Sequence, residues 1–314
     1  MSDEEVTENT LDQASGNASE VAGAEPKSAM VEAVQPAVDQ VVEGKTAEKR
    51  RQTIGEAVTA LTETKNALAA LDEKDTTKAL DALAQVTGKL ELLLARSPRL
   101  ALAPVDVQTV VHDIFAGADT IEAILDEAEN ALKHGEVQKA RHLLSGVASE
   151  IVITTTSLPL ATYPKAISAV APLIDQGKID EAKAALQAVL GTLVSSSVVI
   201  PLPVERARAM LKEAESLVEK SDRSAEEDKR LGALLDDARK QLEMAELLGY
   251  GRMKKDFKDI YDQIKSVKEK AKSGQSGKGF FDDIMATFRS LFDHKEDGSL
   301  PQTDADKSRQ HGGK

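Results

Sequence analysis

From about residue 47 to residue 292, apolar side chains recur three and four positions apart, the spacing that gathers them on one face of an α-helix. The stretch "PVERARAMLKEAESLVEK" (203–220) is amphipathic in this sense. Ser224 and Glu227 form a capping box that opens "AEEDKRLGALLDDARKQLEMAELL" (225–248). Gly249-Tyr250-Gly251 stops that helix, and "RMKKDFKDIYDQIKSVKEKAK" (252–272) forms the next, moderately basic one. A linker, "SGQSGKG" (273–279), then leads to "FFDDIMATFRSLFD" (280–293), where Phe280, Phe281, Ile284, Met285, Phe288, Leu291 and Phe292 make one apolar stripe.

The first half carries an internal repeat. "LDEKDTTKALDAL" (71–83), "LKHGEVQKARHLL" (132–144) and "IDQGKIDEAKAAL" (174–186) align on Leu71, Leu132 and Ile174, then on Ala79, Ala140 and Ala182, then on Leu83, Leu144 and Leu186. Each reads as a helix–turn–helix hairpin. Gly135, Gly177 and, in the first copy, Lys74 fall where a helix C-terminus demands positive φ. The alanine lies where two backbones approach closely. Nineteen residues beyond each alanine stands a proline, Pro98, Pro159 or Pro201. The spacing between copies is 61 and then 42 residues, and the difference lies between Pro98 and Leu132, which predicts a longer first helix in the middle hairpin.

The hydroxyl runs before two of those prolines, "TTTSLPL" (154–160) and "SSSVVIPL" (195–202), are equivalent places in two copies. They are read as helix ends, with Ser and Thr bonding back to carbonyls. Pro164 and Pro203 then begin the next helices. Short paired strands at 151–156 and 195–200 are the alternative, because β-branched residues favour strands. The expected fold class is therefore all-α, antiparallel helical hairpins in a bundle or short solenoid-like array, with those minor strands as its variation.

Charge separates the ends from the body. Residues 1–46 hold ten acidic side chains against two lysines, whereas the whole chain of 314 residues carries a net charge of −13. This polar, acidic start is expected to be a disordered tail. A short apolar run from Val31 to Val42 could form a transient helix there, interrupted by Pro36. The body is expected over 47–272, the linker over 273–279, the Phe-rich helix over 280–293 and a second disordered tail over 294–314. The start has no basic segment followed by an apolar one, so a secretory signal is not expected and the reading is a cytoplasmic protein. The near-balanced body argues against a nucleic-acid partner, and Asp282, Asp283 and Asp293 argue against a membrane one.

Candidate chemistry is sparse. The chain has no Cys, which removes disulfides, thiolate metal sites and thiol nucleophiles. His134, Glu136 and His142 cluster at one hairpin turn, but they read as a helix C-terminal histidine and surface residues rather than a zinc site. "GQSGKG" lacks the spacing and the preceding strand of a phosphate loop. No serine lies in a nucleophile elbow, so no enzyme and no cofactor is expected. The hydroxyl clusters suggest a ligand pocket, lined by Thr155, Ser157 and Ser196 and floored by Leu160, Tyr163 and Leu202. The stripe of Phe280, Phe281, Ile284, Phe288 and Phe292 suggests a contact with a partner groove, with a second copy, or with the chain's own body.

"TSLPLATYPKAI", "PLIDQGKIDEAKAALQAVLGTLV", "VIPLPVERA", "ARKQLEMAELLGYG" and "SGKGFFDDI" together resemble the bacterial YfdX family, from about Arg50 to Phe292. The resemblance implies a mainly helical protein linked to acid and heat tolerance, with no settled enzymatic activity. It carries over no catalytic motif. Many members carry an export signal where this chain has its acidic start. The expected function is non-enzymatic stress protection through binding of other proteins, holdase-like, with self-association as one form of partnership. The alternative is a small-molecule sensor or buffer.

Overall fold

Three helix turns share one stereochemical solution. In the computed structural model, which describes residues 28–114, 116–251, 254–273, 279 and 281–292, Lys74, Gly135 and Gly177 have φ of 62°, 76° and 72°. In each turn the next N–H reaches back to the carbonyl five residues earlier. Those bonds are Asp75 to Ala70, Glu136 to Ala131 and Lys178 to Leu173, at 2.8, 2.9 and 2.9 Å. This is the Schellman arrangement, and it satisfies carbonyls that the helix end would leave open. The turns join α2 (Gly55–Asp72) to α3 (Thr76–Arg96), α4 (Ala118–Lys133) to α5 (Val137–Leu144), and α7 (Ala171–Asp175) to α8 (Ile179–Leu190). Ala79, Ala140 and Ala182 are buried at the close approaches, as the repeat predicts.

The chain is mainly helical, with a small three-stranded sheet. The hydroxyl runs are not helix ends. They lie within β2 (Ser149–Pro159) and β3 (Val194–Pro201), and β1 (Leu102–Asp113) occupies the interval assigned to a longer first helix in the middle hairpin. The minor-strand alternative is therefore the correct one, extended by a third strand. Cross-strand pairing decides the matter: Thr154, Thr155 and Thr156 oppose Ser197, Ser196 and Ser195, and Thr154 Oγ1 lies 2.9 Å from Ser197 Oγ. β-Branched and hydroxyl side chains gain more from such facing pairs than from a frayed helix end. The sheet is antiparallel in the order β1-β2-β3, with a bulge between Pro104 and Asp106. Pro159 and Pro201 close strands, whereas Pro98 stands in the turn before β1, so the proline correspondence holds for two copies only.

Between β2 and α7 runs α6 (Tyr163–Ser168), with Pro164 in its first turn, as Pro203 is in that of α9 (Leu202–Val218). Pro172 starts α7, so the first arm of the third hairpin is broken in two. After α9 come α10 (Ala225–Leu247), with the expected Ser224–Glu227 capping box, α11 (Lys254–Lys272) and α12 (Asp282–Phe292).

The expected boundary at residue 46 is also corrected. Residues 29–46 belong to α1 (Ala29–Arg51), which runs through Pro36. Ser28 caps it by accepting the Val31 N–H at 3.2 Å. Proline inside a helix costs about 3 kcal/mol. Val31, Val34 and Val38 are buried at helical spacing, and burying each valine contributes about 1.5–3 kcal/mol. Packing wins over propensity. Residues 1–27 and 294–314 of the two expected tails, and residue 293 of the expected Phe-rich helix, lie outside the described residues.

Two large cores result. One gathers α2, α3, α6, α7 and α8 around Tyr163; the other gathers α9 to α12. Helix α1 belongs to two clusters: Val31 and Val34 join the second core, and Val38 packs on Val107, Ile151, Ile153 and Ile200 beneath the sheet.

Candidate functional site

The centre of the sheet's inner face, at Val107, Ile151, Ile153 and Ile200, is buried with Val38 of α1, while Val111 and Ser196 at its margins are exposed; the outer face is open. Strand alternation turns one set of side chains outward in four cross-strand rows. These rows are Asp106–Thr156–Ser195, Gln108–Thr154–Ser197, Val110–Val152–Val199 and His112–Glu150–Pro201. Val110 and Val199 are 48% and 47% exposed. A β-branched apolar row, exposed at Val110 and Val199 and half-buried at Val152, thus faces solvent, bordered on one side by hydroxyl and amide rows and on the other by His112 and Glu150.

The two edges of the sheet differ. Along β1, Ile54 N–H donates to the Pro104 carbonyl at 2.9 Å, Thr46 and Thr109 hydroxyls meet at 3.3 Å, and α1 and α2 pack alongside. Along β3, the principal neighbours are β2 and the adjoining α9. Residues Val194–Ser197 and Val199 are exposed. The outer backbone groups of an edge strand are available for further pairing.

The structure separates the residues expected to form one ligand pocket. Thr155 and Ser196 do face each other across β2 and β3. Ser157 is buried. Leu160 and Tyr163 belong to the first large core, while Leu202 lies beneath the sheet. Tyr163 donates to Thr64 Oγ1 at 3.0 Å, and burial pushes its hydroxyl pKa upward. The side chain is fully enclosed and serves packing.

The Phe-rich helix is accounted for in the same way. Phe281, Ile284, Phe288 and Leu291 are buried in the core of α9 to α12, and Phe292 packs against it. Arg208 stacks over the Phe288 ring at 4.7 Å. The stripe docks on its own body. Phe280 lies outside the described residues, as do 274–278 of the linker. His134 ends α4 with Nδ1 2.8 Å from the Asn130 carbonyl, and His142 is exposed on α5. Among the described residues no group of three or more His, Cys, Asp or Glu could hold a metal ion, and no helix is long and apolar enough to cross a membrane.

Two features were not anticipated. Arg206 of α9 is buried and grips Asp113 of β1 bidentately, at 3.1 and 2.7 Å. Gln35 of α1 accepts from Arg206 at 3.3 Å, and Ser149 Oγ donates to Asp113 at 2.7 Å. Ser149 N–H donates to Tyr250 Oη at 3.1 Å; burial first, and the Glu150 carboxylate second, push that hydroxyl pKa upward. This network ties the sheet to α1, α9 and the end of α10. Arg206 and Asp113 are 93 positions apart, and no local pattern links them. The second feature is an open groove of about 690 Å³ between α1 and α9, with Ala33, Ala37, Val38 and Val41 on one wall and Arg208 and Lys212 on the other.

Residues 60–199, from within α2 to within β3, match the family model described as YfdX protein. No curated protein matches the chain. Among solved structures, that of Salmonella Typhi YfdX is similar over 48% of this chain and 93% of its own, at 18% identity and a TM-score of 0.33. The match rests on sequence, and its span contains nearly all of the sheet and the three aligned turns. Residues 60–199 of this chain, which carry nearly all of the open sheet and the three hairpin turns, are thus similar in sequence to the YfdX family.

Proposed function

We propose that the chain is a non-enzymatic protein of acid and heat tolerance that binds other proteins, holding extended segments of destabilised clients against the open sheet. The observation that carries this reading is the exposed outer face, with its Val110–Val152–Val199 row beside an unprotected edge strand. An extended segment laid along β3 would satisfy its backbone through main-chain hydrogen bonds. Its alternate side chains would meet the valine row. Main-chain pairing is indifferent to sequence, which suits a protein that must accept many clients. The stress association itself comes from the family resemblance. Helix α12 does not take part, because its phenylalanines are buried in the body's own core.

The test is light scattering by a heat- or acid-labile client, with and without the protein. The natural protein is expected to suppress aggregation. Val110→Lys and Val199→Lys are expected to weaken suppression while leaving circular dichroism unchanged, since both side chains already meet water. Full protection by both variants would overturn the assignment to the sheet.

A second reading, binding of a small molecule, is favoured by the α1–α9 groove, whose size of about 690 Å³ suits a drug-sized ligand. On this reading Ala37→Leu fills the groove and abolishes ligand-induced thermal stabilisation, while the sheet variants leave it intact.

A further inference from the structure

We infer that the free edge of β3 is self-complementary and pairs antiparallel with the β3 edge of a second copy, joining two three-stranded sheets into one of six strands. Four observations lead there. First, the sheet has one closed edge and one open one: β1 is covered by α1, α2 and the Ile54 bond, whereas β3 has no such cover among the described residues. Second, β3 lacks the features that keep edges apart. Its sequence, "VSSSVVIP", has no charge and no proline before its last residue, and its register with β2 has no bulge. Third, the strand fits itself. Paired about Ser197, Val194 meets Ile200, Ser195 meets Val199 and Ser196 meets Val198, so no like charges face each other. Fourth, β3 is already ordered. A flexible peptide must give up about 1–2 kcal/mol of backbone entropy per residue to pair there, and a second β3 gives up almost none.

Symmetry makes the inference specific. A two-fold axis perpendicular to the sheet keeps every residue on the same face in both copies. Opposed residues must then share parity along the strand, so one residue of β3 faces its own copy. Pairing that uses the strand from Val194 to Ile200 puts Ser197 on the axis. The contact is narrow. A stable interface typically buries about 800 Å² per partner, and a single strand edge supplies less, so the dimer is expected to be weak, with a dissociation constant on the order of micromolar. A consequence rests on the proposed client binding: the resting dimer covers the edge that a client segment would use, so dilution or stress that separates the copies exposes it.

The absence of cysteine from the chain makes the test direct. Ser195→Cys, Ser196→Cys, Ser197→Cys and Val198→Cys variants of the full chain are oxidised alongside an exposed control, Ser145→Cys on the α5–β2 connection. Facing positions in an antiparallel pair have Cα separations that a disulfide can bridge. The expected result is a disulfide-linked dimer concentrated at one position, Ser197 for the full-length register. It should form on the order of tenfold faster than the control, because pairing raises the local thiol concentration. Sedimentation should show a concentration-dependent dimer that Val199→Lys abolishes. Four crosslinking rates equal to the control, or a monomer at every concentration, would overturn the inference. Client protection that persists in that case leaves the function reading standing. Specific crosslinking without any client protection would instead sink the function reading and leave self-pairing in place.

Discussion

At 62°, the φ of Lys74 lies where a side chain's Cβ crowds the following carbonyl, at a cost of about 1–2 kcal/mol for an L-residue. Gly135 and Gly177 occupy the equivalent turns without that cost, and neither has an atom within 4 Å of the place a Cβ would take. The difference between the three turns is therefore backbone strain alone. Lys74→Gly is expected to raise stability in urea melts by up to about 1 kcal/mol, the gain being reduced by glycine's greater freedom in the unfolded chain. Gly177→Ala is expected to lower it by about the same amount. If Lys74→Gly is destabilising, the lysine side chain contributes more than its backbone costs. These turns were legible because a helix end needs positive φ at a fixed place, and glycine marks it. The Arg206–Asp113 pair was not, because a buried arginine looks like any other on an amphipathic helix until its partner is known.

Whether an element is helix or strand was legible where the element satisfies its own backbone, and illegible where another segment does so. Helix α10 illustrates the first case. Its capping box was read from Ser224 and Glu227 alone, and both halves are present: Glu227 N–H donates to Ser224 Oγ at 3.2 Å and Ser224 N–H to the Glu227 carboxylate at 2.9 Å. β2 illustrates the second. Its run of three threonines puts hydroxyls on both faces and so blurs the alternation of a strand, and the partners that fix it lie some 40 residues away on either side. The capping box also sets a pH response. The Lys220 ammonium, at 2.6 Å, and the Ser224 N–H hold the Glu227 carboxyl down at about 2, from an ordinary value of 4.5. A depressed folded-state value means that the unfolded chain takes up the proton first. The contribution is fully present above about 4.5 and is lost as pH falls through about 2. Glu227→Gln is therefore expected to flatten the stability profile between those two values, and to leave the slope above 4.5 unchanged. An unaltered acid limb in the variant would show that the box does not set the acid limit of α10.

At the scale of the molecule, the sequence shows each helix's apolar face but not which layer that face meets. Helix α1 is the clearest example, because its proline-bearing first half continues the acidic start of the chain and its buried valines are few. Yet Val38 lies beneath the sheet with Val107, Ile151, Ile153 and Ile200, while Val31 and Val34 complete the core of α9 to α12. Gln35, between them, reaches Arg206 in the network that ties β1 to α9. The helix thus covers the apolar centre of the inner face and links it to the C-terminal helices, and the outer face can stay open because that centre is buried. Starting the chain at Gln52 should expose the inner isoleucines and leave the Arg206–Asp113 pair half uncovered. The expected outcome is a lower, broader thermal transition and strong binding of a hydrophobic dye, with helical circular dichroism retained in α2, α3 and α9 to α12. A shortened chain that melts at the same temperature, in one sharp transition, would mean that the sheet is stable with neither face covered. The open outer face would then be an ordinary surface of this fold, and the argument for it as a binding site would lose its structural basis.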